Sequence, residues 1–274
     1  MSLSTDTIES IAALLHDAER DVRDVVKVTE AQPDLTTERA YDVQDALRAR
    51  KLARGVRLVG MKMGLTSYAK MAQMGVDTPI YGFLGSDNAV DDGAAVETSA
   101  LIHPKVEAEI AFVMRDALQG PDCSVEQVLA ATECLLPAIE VIDSRYENFR
   151  FDLPSVIADN TSAARYVIGS KAASADGRDL ESIGVVLEKN GQVVEVGAGA
   201  AVLGNPARAV AMLVDMLHAR GQSLAAGSVV LSGAITAAVG SLAVRRIVGL
   251  SRTAEAVGAL SHLALRGAAE AYDA

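Results

Sequence analysis

Two glutamates stand one residue apart in His103-Pro104-Lys105-Val106-Glu107-Ala108-Glu109-Ile110-Ala111-Phe112. From Lys105 to Met114 the chain alternates, with Val106, Ala108, Ile110, Phe112 and Met114 on one side and Glu107, Glu109, Ala111 and Val113 on the other. Period two means strand, so both carboxylates leave one face about 7 Å apart along the chain. Like charges that close repel unless something positive lies between them or water covers both. A divalent cation would reconcile them, and hard oxygen ligands suit Mg²⁺ or Mn²⁺. A solvated strand face carrying two ordinary glutamates accounts for the spacing as well, and the spacing alone leaves both readings open.

Two further residues carry chemistry in apolar surroundings. Glu140 lies within Pro137-Ala138-Ile139-Glu140-Val141-Ile142-Asp143-Ser144-Arg145. A lone buried carboxylate is costly, so it must be neutral, paired or metal-bound. Lys62 is the one base in Leu58-Val59-Gly60-Met61-Lys62-Met63-Gly64-Leu65-Thr66-Ser67. Buried lysines serve as acid/base groups with shifted affinity for protons, or as structural ion-pair partners. Three acids and a lysine, each in an apolar strand, say more jointly than singly.

The elements that must position them follow from the pattern. Thr7 to Lys27 reads as an amphipathic helix with Ile8, Ile11, Leu14 and Leu15 on one stripe. Thr37 caps a second helix running to about Leu52, which Gly55 ends. Strands are expected at 56–64, 80–84, 95–98, 105–114, 135–142, 183–188, 192–196 and 228–232. Short helices are expected at 67–74 and 124–133. Asn190-Gly191 predicts a type I′ hairpin turn, and Asn205-Pro206 opens a helix that Gly221 closes. Without regular βαβ alternation, the class is α+β with a mixed sheet. We expect one domain over 1–274: a helical N-terminal layer (1–55), a catalytic β-roll (56–240) and an atypical tail (241–274).

Composition bounds the function. The 274 residues carry 25 Lys and Arg against 36 Asp and Glu, a net charge of −11. That balance argues against nucleic acid or an anionic membrane surface as partner. With no Trp and four Phe, the core must rest on aliphatic residues and Met, including Met61, Met63, Met71 and Met74. Cys123 and Cys134 lack metal-ligand spacing and read as free buried thiols in or beside a helix. No apolar signal core or membrane-length apolar run is evident, so a soluble, cytoplasmic protein is expected.

The Gly60–Ser67 stretch, the block around Glu107 and Glu109, Ala138 to Arg145, and Ala158-Asp159-Asn160-Thr161-Ser162 together resemble the hydratase and decarboxylase group of the fumarylacetoacetate hydrolase superfamily. The resemblance covers about residues 5 to 240. It implies a mixed, highly bent β-roll wrapped by helices, with Glu107, Glu109 and Glu140 as ligands of Mg²⁺ or Mn²⁺ and Lys62 as the catalytic acid/base. Leu65, Thr66, Ser67, Ile80, Ser162 and Thr236 would line the substrate pocket. Asp143 and Arg145 would form an outer pair orienting Glu140, or an ordinary salt bridge, and His103 is read as structural.

Within the group the chain looks closer to the decarboxylase branch. It has Pro79-Ile80-Tyr81-Gly82 where hydratases typically carry Pro-Asp-Phe-Gly, and Phe149-Arg150-Phe151 where they carry a Trp-Lys-Ile-Lys-like stretch. The implied reaction takes 2-oxohex-3-enedioate to 2-hydroxypenta-2,4-dienoate and CO₂ in meta-cleavage breakdown of aromatic compounds. Hydration of that dienoate and a non-catalytic partner subunit are the alternatives. The resemblance also implies a homo-oligomer, with a complex with a homologous hydratase as a further option. After about Ala238 the resemblance fades, and Thr253 to Tyr272 reads as helical or disordered rather than as sheet-closing strands.

Overall fold

The computed structural model describes residues 4–237, 239–240 and 246–248; the expectation for Thr253 to Tyr272 lies outside them. Helix α1 (Thr5–Arg20) starts where the Ser4 side chain accepts from Thr7 N. It stops short of the expected Lys27. After the buried Ala18, the charged run Asp21-Val22-Arg23-Asp24 offers no apolar stripe, and Val22 turns left-handed at φ 51°. The chain then leaves to pair with the sheet side, Val25 N donating to Arg145 O at 2.8 Å. Within α1, Ile11 and Leu15 are buried with Ala12 and Ala18, whereas Leu14 is exposed.

Helix α2 (Thr37–Ala53) is capped by Thr36 rather than Thr37, its side chain accepting from Arg39 N. Its buried Gln44 bridges two elements, donating to Tyr81 O and Ile157 O at 3.0 and 2.9 Å. Strand β1 (Leu58–Gly64) leads to α3 (Tyr68–Met74) and β2 (Ile80–Gly85). Short strands β3 (Ala89–Val90) and β4 (Ala95–Glu97) precede β5 (Lys105–Met114), which has the predicted bounds. Helix α4 (Val125–Ala131), opened by a capping box at Ser124 and Gln127, passes directly into β6 (Thr132–Ile142). Cys134 therefore lies on a strand, and both cysteines are free and half-buried.

The short helix α5 (Leu153–Ala158) and strand β7 (Ala163–Ile168) were not expected from the pattern. Both are only six residues long, too short for periodicity to identify. The hairpin β8 (Gly184–Lys189) and β9 (Gln192–Ala198) turns at Asn190 and Gly191, both at positive φ as a type I′ turn requires. Helix α6 (Pro206–Ala219) follows, then β10 (Val229–Leu231), β11 (Val239–Gly240) and β12 (Arg246–Val248). Contrary to the sequence expectation, one stretch among the described residues, Gly199–Ala219, is by length and composition alone long and apolar enough to cross a membrane. More than half of it is buried, and α6 contributes Val210, Leu213, Val214 and Leu217 to the core.

The main sheet runs β2-β1-β10-β5-β6-β7-β3, with β11 also on β5. β1 and β10 pair in parallel, as do β3 and β7; the other pairs are antiparallel. Register shifts within β1, β5 and β6 mark bulges, which bend a sheet locally. This is the expected α+β class with a bent mixed sheet. One face meets the helices through Met61, Met63, Ile110, Phe112 and Met114. The other holds a small apolar cluster of Leu84, Ala111, Ala138, Tyr166 and Leu231, and it is the face that carries the charges. Past Ala238 the chain still pairs by backbone, β12 lying antiparallel on β4.

Candidate active site

The register of β5 and β6 does what the spacing alone could not show: it sets Glu107 directly opposite Glu140. Glu109 faces Ala138, whose small side chain leaves room beside it. All three carboxylates are withdrawn from water, at 7, 2 and 1 % exposure for Glu107, Glu109 and Glu140. A solvated strand face is thereby excluded. One oxygen from each lies within 4.8 Å of the others. Like charges directly opposite one another on a sheet are destabilising unless compensated.

Lys62 reaches this cluster from two strands away. Lys62 pairs with Leu231, and Leu231 with Ala111, which places the lysine on the glutamates' face. Its Nζ is 2.7 Å from Glu140 Oε1 and donates to Thr161 O at 3.0 Å. Gly233 N donates to Glu109 Oε2 at 2.8 Å. Gly233 sits at φ 109°, and a Cβ there would overlap the Thr66 side chain, so only glycine lets this amide approach. Among the described residues, Glu109 Oε1 and Glu140 Oε2 have no hydrogen-bond partner. Three buried carboxylates, two of them with an unpartnered oxygen, outnumber the one buried lysine among them and leave negative charge uncompensated. A hard divalent cation fits that oxygen set.

The electrostatics agree. Burial first, then the Glu140 and Glu107 charges, push the Glu109 carboxyl well above the ordinary carboxylate range, against the opposing pull of Lys62. Burial raises Glu140 as well, with Lys62 opposing. In metal-free protein, folded Glu109 keeps a proton that the unfolded chain releases near its ordinary value of 4.5. The folded state then binds more protons, so stability falls as pH rises above that value toward the raised folded one. A bound cation requires the ionised form and reverses the trend. We expect the Tm in EDTA to fall from about pH 5 to about pH 8, and the fall to be smaller in Glu109→Gln. The Tm gain from Mn²⁺ should grow over the same range. An identical pH slope in wild type and Glu109→Gln would show that Glu109 is not the group responsible.

The remaining expected residues sit at different distances from this centre. Leu65, at φ 52°, Thr66 and Ser67 form the turn that carries β1 into α3, with Thr66 buried against Gly233. Ile80 is buried opposite Gly64 across the β1–β2 pair. Ser162 is buried with its hydroxyl unpartnered among the described residues. The Thr236 hydroxyl accepts from Ala108 N at 3.4 Å, bracing the residue between the two glutamates. Phe149 and Phe151 pack together at 5.8 Å, and Phe149 lies under the Lys105 ammonium, 3.8 Å from the ring centroid.

Two expectations need correction or sharpening. Asp143 and Arg145 are not paired through their side chains. The Asp143 carboxylate accepts from Ile102 N and His103 N, fixing the loop that enters β5. Arg145 is fully buried against Asp159 and also donates to the Asp143 and Ala163 carbonyls. His103 Nε2 lies 3.2 Å from Asp24 Oδ2, and its ring meets that of Phe149 at 6.5 Å. Sequence reasoning missed Asp159 and Thr161 as individual residues. The only signal was the polar block Asp159 to Ser162. In it Asn160, Thr161 and Ser162 all take left-handed backbone angles of 50–57°, a strained run of the kind that clusters at functional sites.

Comparison with known proteins gives the same direction. Residues 58–264 match the family described as "Fumarylacetoacetate (FAA) hydrolase C-terminal", reaching beyond residue 240, where the resemblance was expected to end. A 4-oxalocrotonate decarboxylase of Pseudomonas sp. (strain CF600) is 57% identical over 87% of this chain and 90% of its own length. A 2-hydroxyhexa-2,4-dienoate hydratase of Comamonas testosteroni is 38% identical over 83% of this chain and 87% of its own. The solved 4-oxalocrotonate decarboxylase from Pseudomonas putida G7, complexed with magnesium and adipate, superposes with a TM-score of 0.85 at 53% identity. That match covers 87% of this chain and 91% of that one.

Proposed function

From the premise that the chain belongs to the fumarylacetoacetate hydrolase family, we propose a Mg²⁺- or Mn²⁺-dependent decarboxylase converting 4-oxalocrotonate (2-oxohex-3-enedioate) to 2-hydroxypenta-2,4-dienoate and CO₂. The observation that carries it is the buried triad of Glu107, Glu109 and Glu140 with Lys62 at 2.7 Å from Glu140. The greater identity to a decarboxylase than to a hydratase, 57% against 38%, supports this choice. The intact triad and lysine speak against a non-catalytic partner subunit.

Glu107, Glu109 and Glu140 would hold the cation, which when bound supplies Lewis acidity to the 2-oxo acid. Lys62 presents its ammonium to the C2 oxygen, where negative charge accumulates as the C6 carboxylate departs. It can hydrogen-bond that oxygen or hand it a proton. Thr161 O and Glu140 fix the lysine's direction. Leu65, Thr66, Ser67, Ser162 and Thr236 would shape the pocket around the substrate. Ile80 would give the leaving carboxylate an apolar neighbour and a nucleophilic water nothing to bind. Beyond the single chain, the proposal includes a cytoplasmic homo-oligomer able to associate with a homologous hydratase, which light scattering of the pure protein with and without that hydratase would test.

The direct test mixes pure protein, Mg²⁺ and 2-oxohex-3-enedioate and follows CO₂ and product by mass spectrometry. Wild type should release CO₂. In Ile80→Asp release should slow on the order of tenfold, the equivalent of about 1.4 kcal/mol, with Mn²⁺ affinity kept. If wild type instead converts the dienoate to 4-hydroxy-2-oxopentanoate faster than it releases CO₂, the protein is a hydratase.

A further inference from the structure

The acid triad is bracketed by two cations of different character. Glu140 and Glu107 face each other across β5 and β6. Buried Lys62 holds Glu140 at 2.7 Å, whereas Lys70 stands 3.8 Å from Glu107 Oε1 with its side chain 49% exposed. That distance is an ion pair too long for a hydrogen bond. Lys70 sits on α3, immediately beyond the turn that follows Lys62's strand, so one short segment supplies both cations. Lys105 shares the glutamates' face of β5, but its ammonium is engaged by the Phe149 ring.

We propose that Lys70 binds the C1 carboxylate of the 2-oxo acid and thereby fixes which end of the substrate faces Lys62, an inference that rests on the decarboxylase reading above. A 2-oxo acid offers one C1 oxygen and the C2 oxygen side by side to a divalent ion, leaving the second C1 oxygen without a partner. The C2 oxygen belongs on the Lys62 side, since that is where charge develops. The C1 carboxylate then falls on the Glu107 side, within reach of Lys70. Once Glu107 shares its charge with a bound cation, its hold on Lys70 weakens and the ammonium is free for the incoming anion. The rest of the substrate runs from C2 past Lys62 toward Ile80, which lies opposite Gly64 two residues along the same strand. In the reversed pose the C1 carboxylate would lie at the buried end and the reacting carbons would lie at the solvent-exposed end.

The test uses Mn²⁺-loaded full-length protein and two probes: pyruvate, which has the C1 carboxylate and ketone alone, and butane-2,3-dione, a neutral dicarbonyl. In Lys70→Met, pyruvate Kd by calorimetry should rise roughly tenfold, the scale of a lost charge-assisted hydrogen bond. The dione's affinity and the Mn²⁺ affinity should not fall, and Lys70→Arg should restore most of the pyruvate binding. For the dioate, KM should rise more than kcat falls. Unchanged pyruvate Kd in Lys70→Met, an equal loss for both probes, or wild type that fails to bind pyruvate would overturn the proposal. Lys70-dependent pyruvate binding without CO₂ release would uphold it and sink the decarboxylase reading instead.

Discussion

Lys62→Met should lower kcat for CO₂ release by roughly 10²-fold or more, the usual scale for a lost general acid or base, while Mn²⁺ affinity stays within a few-fold. The lysine is 2% exposed, two strands from the E-x-E strand, and its Nζ is held between Glu140 Oε1 and Thr161 O. It is a cation and cannot itself be a ligand. Its removal would take away the donor proposed to lie nearest the developing charge, not the carboxylates proposed to hold the metal. It also leaves Glu140 buried without its cation, which is costly. The metal-free variant should therefore melt below metal-free wild type, with most of the difference recovered in Mn²⁺. That recovery separates a lost chemical step from a collapsed site. Unchanged kcat would make Lys62 a structural counter-ion.

How much of this was legible in the chain differs by element. β5 was readable to the residue, because the alternation from Lys105 to Ile110 leaves only one face for Glu107 and Glu109. The three ligand candidates and Lys62 were visible as charges inside apolar runs. What local pattern could not supply was register: nothing in either strand's sequence says that Glu107 meets Glu140 rather than Ala138. Arg145 shows the same limit. Asp143 is its neighbour in sequence, yet the chain from Tyr146 to Ala158 brings Asp159 back to it, and that longer-range partner takes the guanidinium. Lys70, on an exposed helix of seven residues, gives no sequence signal of its proximity to Glu107. Helix α1 was overextended to Lys27, although Val25, inside that span, is buried through a separate bridge to Tyr146 rather than on the helix stripe.

Those long-range partners converge on the candidate ligands. Gly233 N donates to Glu109, and Thr236 braces Ala108 between the glutamates. Ser162 O receives Asp143 N, while Asp143 in turn fixes the entry to β5. The strained run Asn160 to Ser162 is tied to β2 by paired hydrogen bonds between Asn160 and Phe83 at 2.8 and 3.0 Å. Thr161 O, which orients Lys62, is presented by that same run. The lysine's aim thus depends on a backbone conformation that the sheet holds against its own preference.

Glu140→Gln should then be the most severe single change at the site. Outer-sphere losses alone cost 10–100-fold in metal affinity, so loss of a ligand charge should lower Mn²⁺ affinity by at least about 10²-fold and abolish CO₂ release. Glu140 is also the carboxylate that holds Lys62, so the change strikes both the cation site and the proton donor. Its contrast with Glu109→Gln is diagnostic. At Glu109, which meets two like charges and one backbone amide, neutralisation relieves repulsion, and the metal-free protein should gain stability above neutral pH. At Glu140, neutralisation also strips Lys62 of its counter-charge, and no comparable gain should appear. Crystals soaked in Mn²⁺ should show anomalous density among the three carboxylates in wild type and none in Glu140→Gln. Density elsewhere, with these side chains turned apart, would refute the assignment of the three glutamates as ligands.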